Sequence, residues 1–141
     1  MNDAADKALI RSALAARKRA HAPYSGFAVG AAIRVSGGKT VCGCNVENAS
    51  YGLTVCAEGV AAFKAVSRGF DSFRALAVAV PGDEPMPPCG ACLQVLAEFC
   101  GKDIPIIMVA AGSPGRPVRT CLRKLLPHAF SMHERRGASR C

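Results

Sequence analysis

Tryptophan is missing from the 141 residues, and the aromatic share is only 6%. No ring interleaves with the basic residues Arg135, Arg136 and Arg140 near the C-terminus. The stacking surface that single-stranded nucleic acids require is therefore missing from the most basic stretch. Long apolar runs are missing too. The longest, Phe27 to Ile33 and Ile104 to Ala111, fall far short of the roughly 18–20 residues that span a bilayer. Asp3, Asp6 and Lys7 occupy the stretch where a secretory leader would carry its apolar core, and two early acids speak against a transit peptide. The expected location is the cytoplasm, with no membrane contact. Glycine and proline number 14 and 9, below the roughly 25–30% that marks low-complexity chains.

What is present is an ordinary globular balance, half apolar and one-fifth charged. The length suits one domain, expected over residues 1–130, followed by a basic tail over residues 131–141 that lacks apolar periodicity. The net charge of +8 is uneven: residues 1–22 carry +3, residues 23–111 carry −1 and residues 112–141 carry +6. The nearly neutral middle holds the motifs, so nucleic acid is not the expected partner.

Eight cysteines without a secretory context imply free thiols rather than a disulfide framework. Cys42 and Cys44 alternate along one expected strand and so point the same way. Cys100, Cys121 and Cys141 have no neighbour at ligand spacing. These five read as core or surface thiols. Cys56, Cys89 and Cys92 do not.

Apolar spacing at Leu9, Ala13, Ala16 and Ala20 predicts a helix over residues 3–20. Strands are expected over 27–35 and 40–45, joined by Ser36-Gly37-Gly38-Lys39. A helix follows from about Cys56 to Arg68 and stops at Gly69, which suits a left-handed terminal position. The runs 73–80 and 104–110 read as buried strands. Helices are expected over 90–100 and 122–126, the latter stopped by Pro127. This order places helices on both faces of a mixed sheet.

Thr54-Val55-Cys56-Ala57-Glu58 opens one helix and Pro87-Pro88-Cys89-Gly90-Ala91-Cys92 opens the next. Two successive crossover helices bring their N-termini together, so the three thiols would converge. Helix N-termini favour thiolates, and three thiolates suit zinc with one coordination position left open, the catalytic rather than the structural pattern. His21, His128 and His133 show no local spacing that would supply a fourth ligand. Glu58, in the first turn, would reach the same pocket and move protons. The competing readings of Cys-Gly-Ala-Cys are a redox pair or half of a structural zinc site, and Glu58 alone would be an ordinary helix N-terminal charge.

Cys-Ala-Glu followed about 30 residues later by Pro-Cys-x-x-Cys resembles the zinc-dependent nucleoside deaminases. Three further segments resemble the short homotetrameric cytidine deaminases: residues 23–32 (PYSGFAVGAA), residues 45–52 (NVENASYG) and residues 125–130 (LLPHAF). That resemblance implies a three-layer α/β/α sandwich around a mixed five-stranded sheet. It implies hydrolytic deamination of cytidine and 2′-deoxycytidine in pyrimidine salvage, with one zinc ion per subunit held by Cys56, Cys89 and Cys92. Glu58 would be the proton shuttle. Asn45 and Glu47 would bind the ribose, Phe27 would pack on base and sugar, and Ala57 would join the substrate wall. Phe130 would reach the site from a neighbouring subunit in a tetramer with shared sites, and Tyr51 would help build that interface.

Two positions depart from the pattern. Many members carry arginine where this chain has Gly59 and Leu93. Three thiolates and one zinc ion sum to −1, so backbone amides and helix dipoles must offset that charge here. The alternative functions are deamination of another cytosine nucleoside, such as a blasticidin-type antibiotic, and a non-catalytic zinc or nucleic-acid-binding module.

Overall fold

Asp3 and Asp6 in the first turn and Arg17 in the last complement the dipole of α1 (Asp3–Arg17). The computed structural model describes residues 3–132; Arg135, Arg136, Arg140, Cys141 and most of the expected tail lie outside that range. After α1 the chain tightens into successive three-residue turns through Lys18, Arg19 and Ala20, so the regular helix ends three residues before the sequence pattern suggested.

Five strands follow: β1 (Gly30–Val35), β2 (Thr40–Cys44), β3 (Phe73–Val80), β4 (Pro105–Ala110) and β5 (Val118–Cys121). They form one mixed sheet in the order β2-β1-β3-β4-β5. Only β3 and β4 run parallel, joined through α3 (Gly90–Phe99), because a parallel pair needs a crossover. The other pairs are antiparallel.

Alternation along the central strands sorts the core into two layers. Ile33, Val35, Leu76, Val78, Ile106 and Met108 face α2 (Ala57–Ser67), α3 and the short α4 (Leu122–Leu125). Ala32, Ala75, Ala77, Ala79, Ile107 and Val109 face Leu9, Ile10 and Ala13 of α1. Helices therefore cover both faces, the three-layer arrangement that the sequence motifs implied. The α1 face of β3 is all alanine, which lets the helix approach closely. Asp6, only 5% exposed, pairs with Arg34 of β1 at 3.5 Å and Arg119 of β5 at 3.6 Å, tying α1 to both.

Gly43 sets α2 against the edge strand. A Cβ there would collide with the Ala61 amide and the Ala57 carbonyl. The contact fixes the height of α2 and thus of its N-terminus. Gly69, expected to stop this helix, has φ of 89°.

Two expectations change. β1 starts at Gly30 rather than Phe27 because side chains claim the preceding backbone. Ser25 Oγ accepts from the Phe27 amide, and Asn45 takes the Phe27 carbonyl and the Val29 amide. β5 is additional to the strands read from residue pattern. Its sequence, VRTC, is half-buried to exposed and sits on a sheet edge, so it carries no apolar alternation to detect. Among the described residues no helix is long and apolar enough to cross a membrane.

Candidate active site

β1 begins, β2 ends and β3 ends at the same border of the sheet, as their registers require. The segments that enter β1 and leave β2 and β3 at this border line one cavity of about 310 Å³. Phe27 and Val29 come from before β1, Asn45 and Glu47 from after β2, and Cys56, Ala57 and Glu58 from the start of α2. Val78 and Val80 form the floor, and Met86, Pro87 and Cys89 arrive from the loop before α3.

Cys56 is the N-cap of α2 and Cys89 the N-cap of α3, both with extended backbone. Cys92 lies in the first turn of α3. All three sulfurs lie within 4.8 Å of one another, and Cys56 and Cys89 are 3.7 Å apart. Tetrahedral zinc with Zn–S bonds of about 2.3 Å spaces its sulfurs about 3.8 Å apart. The donor set therefore fits zinc in both chemistry and spacing, and among the described residues it is the one such cluster. The electrostatics point the same way. S–H donation from Cys92, and then from Cys89, holds the Cys56 thiol down to about 6 against the opposing effect of burial. Cys92, the donor of that shared proton, is pushed up.

Glu58 is 5% exposed, with Oε2 4.0 Å from Cys92 Sγ. Burial, reinforced by the Cys56 charge, raises its carboxyl to about 7 although a backbone hydrogen bond opposes the shift. A carboxyl poised near neutrality beside a thiolate cluster is suited to move protons in both directions.

The opposite wall is a loop clipped by two side chains. Asn45 Oδ1 accepts from Val29 N at 2.9 Å, and Nδ2 donates to Phe27 O at 2.7 Å. Glu47 Oε1 accepts from Tyr24 N at 3.0 Å and Ser25 N at 3.1 Å, while Oε2 takes a short hydrogen bond from Ser25 Oγ. These donors, the Ser25 hydroxyl above all, hold the Glu47 carboxyl below its ordinary value. Ser25 then accepts from Phe27 N at 2.9 Å, so one hydroxyl links Glu47 to the backbone of Phe27. Sequence reasoning missed Ser25, Thr54 and Met86. Ser25 lay within a quoted motif, but no spacing rule marks a serine as a joint between two other residues.

Residues 3–108 match the family model for the cytidine and deoxycytidylate deaminase zinc-binding region. A cytidine deaminase of Sporosarcina psychrophila is 47% identical over 126 residues, covering 89% of this chain and 91% of that protein. The crystal structure of cytidine deaminase from Burkholderia pseudomallei superposes with a TM-score of 0.83 at 44% identity, over 92% of this chain and all of that one. A blasticidin-S deaminase of Bacillus cereus is more distant, 31% identical over 111 residues, covering 73% of this chain and 76% of that protein. The chain belongs to the cytidine and deoxycytidylate deaminase family.

Within this family's pattern, the two missing arginines find a structural context. Leu93 is 5% exposed and packs in the core between sheet and helices. Gly59 is also buried, and a Cβ there would meet Val55 and Phe63 at 3.2 and 3.6 Å. Tyr51 is 74% exposed and packs edge-on against Tyr24 at 5.8 Å, beside the cavity rather than in it. Phe130 does not line the cavity of its own chain. Its carbonyl accepts from Gln94 Nε2 at 2.9 Å, and its ring is 54% exposed. It borders a separate, larger cleft beside α4 that contains neither Glu58 nor the thiol cluster.

Proposed function

We propose that the protein is a zinc-dependent deaminase that hydrolyses cytidine and 2′-deoxycytidine to the uridines, releasing ammonia. The observation that carries this reading is the buried Glu58 carboxylate, 4.0 Å from one sulfur of a three-thiol cluster, at the base of a nucleoside-sized cavity. Cys56, Cys89 and Cys92 would hold one zinc ion per chain. Zinc bound there supplies Lewis-acid activation of water at neutral pH. Glu58 takes a proton at Oε2 and returns it to the departing ammonia. Its low exposure keeps bulk water from competing for that proton.

The wall residues orient the nucleoside. Phe27 lies against base and sugar, and Ala57 lines the facing wall at the start of α2. Of about four lone-pair positions on the Glu47 carboxylate, the fold uses three, leaving one for a sugar hydroxyl. Asn45 keeps its second N–H for the same purpose. Its other groups serve the loop, so its work is as much positional as recognitive.

The catalytic unit in this reading is residues 1–130, acting in the cytoplasm in nucleoside salvage. Its partner is a second copy of itself, in a tetramer whose sites are shared. The exposed ring of Phe130, remote from its own chain's cavity, supports a role in a neighbour's site, and exposed Tyr51 supports a place at that junction. Blasticidin-type substrates are disfavoured by the lower identity to the blasticidin-S deaminase of Bacillus cereus. A polynucleotide function is disfavoured by the near-neutral segment that builds the site. The test is loss of cytidine absorbance with and without a chelator. Turnover that stops on metal removal and returns with zinc is expected, and chelator-insensitive turnover would overturn the reading.

A further inference from the structure

We propose that the Cys42–Cys44 pair forms a thiol modification site, in a cleft between α1 and α2, that takes small disulfides bearing carboxylates. The pair lies on the edge strand β2, with both side chains on the α1 face. Cys44 stands opposite Gly30 and Cys42 opposite Ala32, so no bulky neighbour on β1 covers either sulfur. Ala15 and Ala16 of α1 continue this small-residue lining, and the result is a cleft of about 470 Å³ with the thiols in its floor. Both thiols are free and half-buried.

Arg19, from the turn after α1, and Lys64, from α2, both line the cleft. Neither lies within 4.0 Å of a carboxylate among the described residues, and the lining contains no acidic side chain. Lys64 is near enough to Cys42 to favour its thiolate, against the larger opposing effect of burial. Two cations with no carboxylate partner among the described residues, around two thiols, select an anionic partner, because each carboxylate delivered to the cleft finds a positive charge. The exchange is balanced within its reactants. A thiol of the pair loses its proton to solvent, and the thiolate attacks one sulfur of the incoming disulfide. The bond to the protein sulfur forms as the S–S bond breaks, and the other half leaves as a thiolate. The protein sulfur is oxidised and the departing half reduced.

The zinc-loaded full chain is treated in parallel with dianionic 5,5′-dithiobis(2-nitrobenzoate) and with cationic cystamine, and adducts are mapped by peptide mass spectrometry. Replacing both cations (Arg19→Ala with Lys64→Ala) is expected to slow the anionic reagent at Cys42 or Cys44 by about tenfold and to speed cystamine. Independently, 1 M salt, with a Debye length of about 3 Å, is expected to erase most of the anionic advantage in the unmodified sequence. Unchanged rates in the double variant, salt-independent labelling, or adducts on Cys121 with the pair untouched would each overturn the proposal.

Discussion

The two walls of the candidate site are built by opposite means. The thiol–carboxylate wall consists of helix termini. Four chemistry-bearing residues sit within the first turn or cap of α2 and α3, and the helices hold them through backbone geometry alone. The facing wall consists of loops, and side-chain hydrogen bonds from Asn45, Glu47 and Ser25 replace the missing regular structure. A helix-borne wall does not depend on side-chain hydrogen bonds from outside the reacting set. A loop-borne wall depends on each clip, so damage there should appear as weaker substrate binding rather than lost chemistry.

Substitutions should separate the two walls. The largest effect is expected for Cys89→Ala, which removes the exposed member of the cluster: zinc content should collapse and turnover with it, whereas full zinc occupancy would break the ligand assignment. Cys100→Ala is the matched control. Its sulfur donates to Leu96 O and burial pushes its thiol up to about 12, so zinc should be retained.

Phe130→Ala comes next. Loss of one stacked ring is worth roughly 1–3 kcal/mol, so kcat/KM should fall about 10–100-fold. A fully active monomer in light scattering at assay concentration would remove the shared-site part of the account. Ser25→Ala should cost about tenfold in kcat/KM, mostly through KM, because a hydrogen bond to a charged group is worth roughly 1.5–3 kcal/mol. Ser25→Thr keeps the hydroxyl and should recover most of that loss. A fall in kcat with unchanged KM would show that the loop wall shapes chemistry directly.

The smallest effect is one of pH. Glu58 must be ionised to accept a proton, and burial, reinforced by the Cys56 charge, lifts its carboxyl to about 7. Zinc and the three thiolates together sum to −1 and so bring no net positive charge beside it, and the acid limb of kcat/KM should lie near pH 7, with activity falling as pH drops. An acid limb well above 7 would contradict this assignment. Glu47 moves in the opposite direction. Its depressed carboxyl means that the clip's contribution to stability is present above the ordinary carboxylate pKa and is lost as pH falls through the lowered value.

The same contrast explains what could be read in advance. Cys56, Glu58, Cys89 and Cys92 were legible because helix starts and metal-ligand spacing are local, and two crossovers suffice to bring them together. Helices on both faces of a mixed sheet followed from the order of helices and apolar runs, with 73–80 and 104–110 as buried strands, whereas the three-layer, five-stranded form came from the family resemblance. β5 was not legible, because an exposed edge strand of four residues carries no periodic signal. The start of β1 was misplaced for a related reason. Phe27 to Val29 have strand-like composition, but Ser25 and Asn45 take the backbone groups that a ladder would need. Side chains that satisfy backbone across 16 or 18 residues are invisible to patterns of local spacing.

The central claim is that Glu58 moves the proton at a zinc site it does not help to hold. Zinc content and cytidine turnover measured side by side for the natural sequence and Glu58→Gln test it most directly. About one zinc per chain is expected in both, with turnover in the variant lower by at least the roughly 10²–10⁴-fold that general acid–base catalysis contributes. Near-natural turnover in Glu58→Gln at full zinc occupancy would contradict the account.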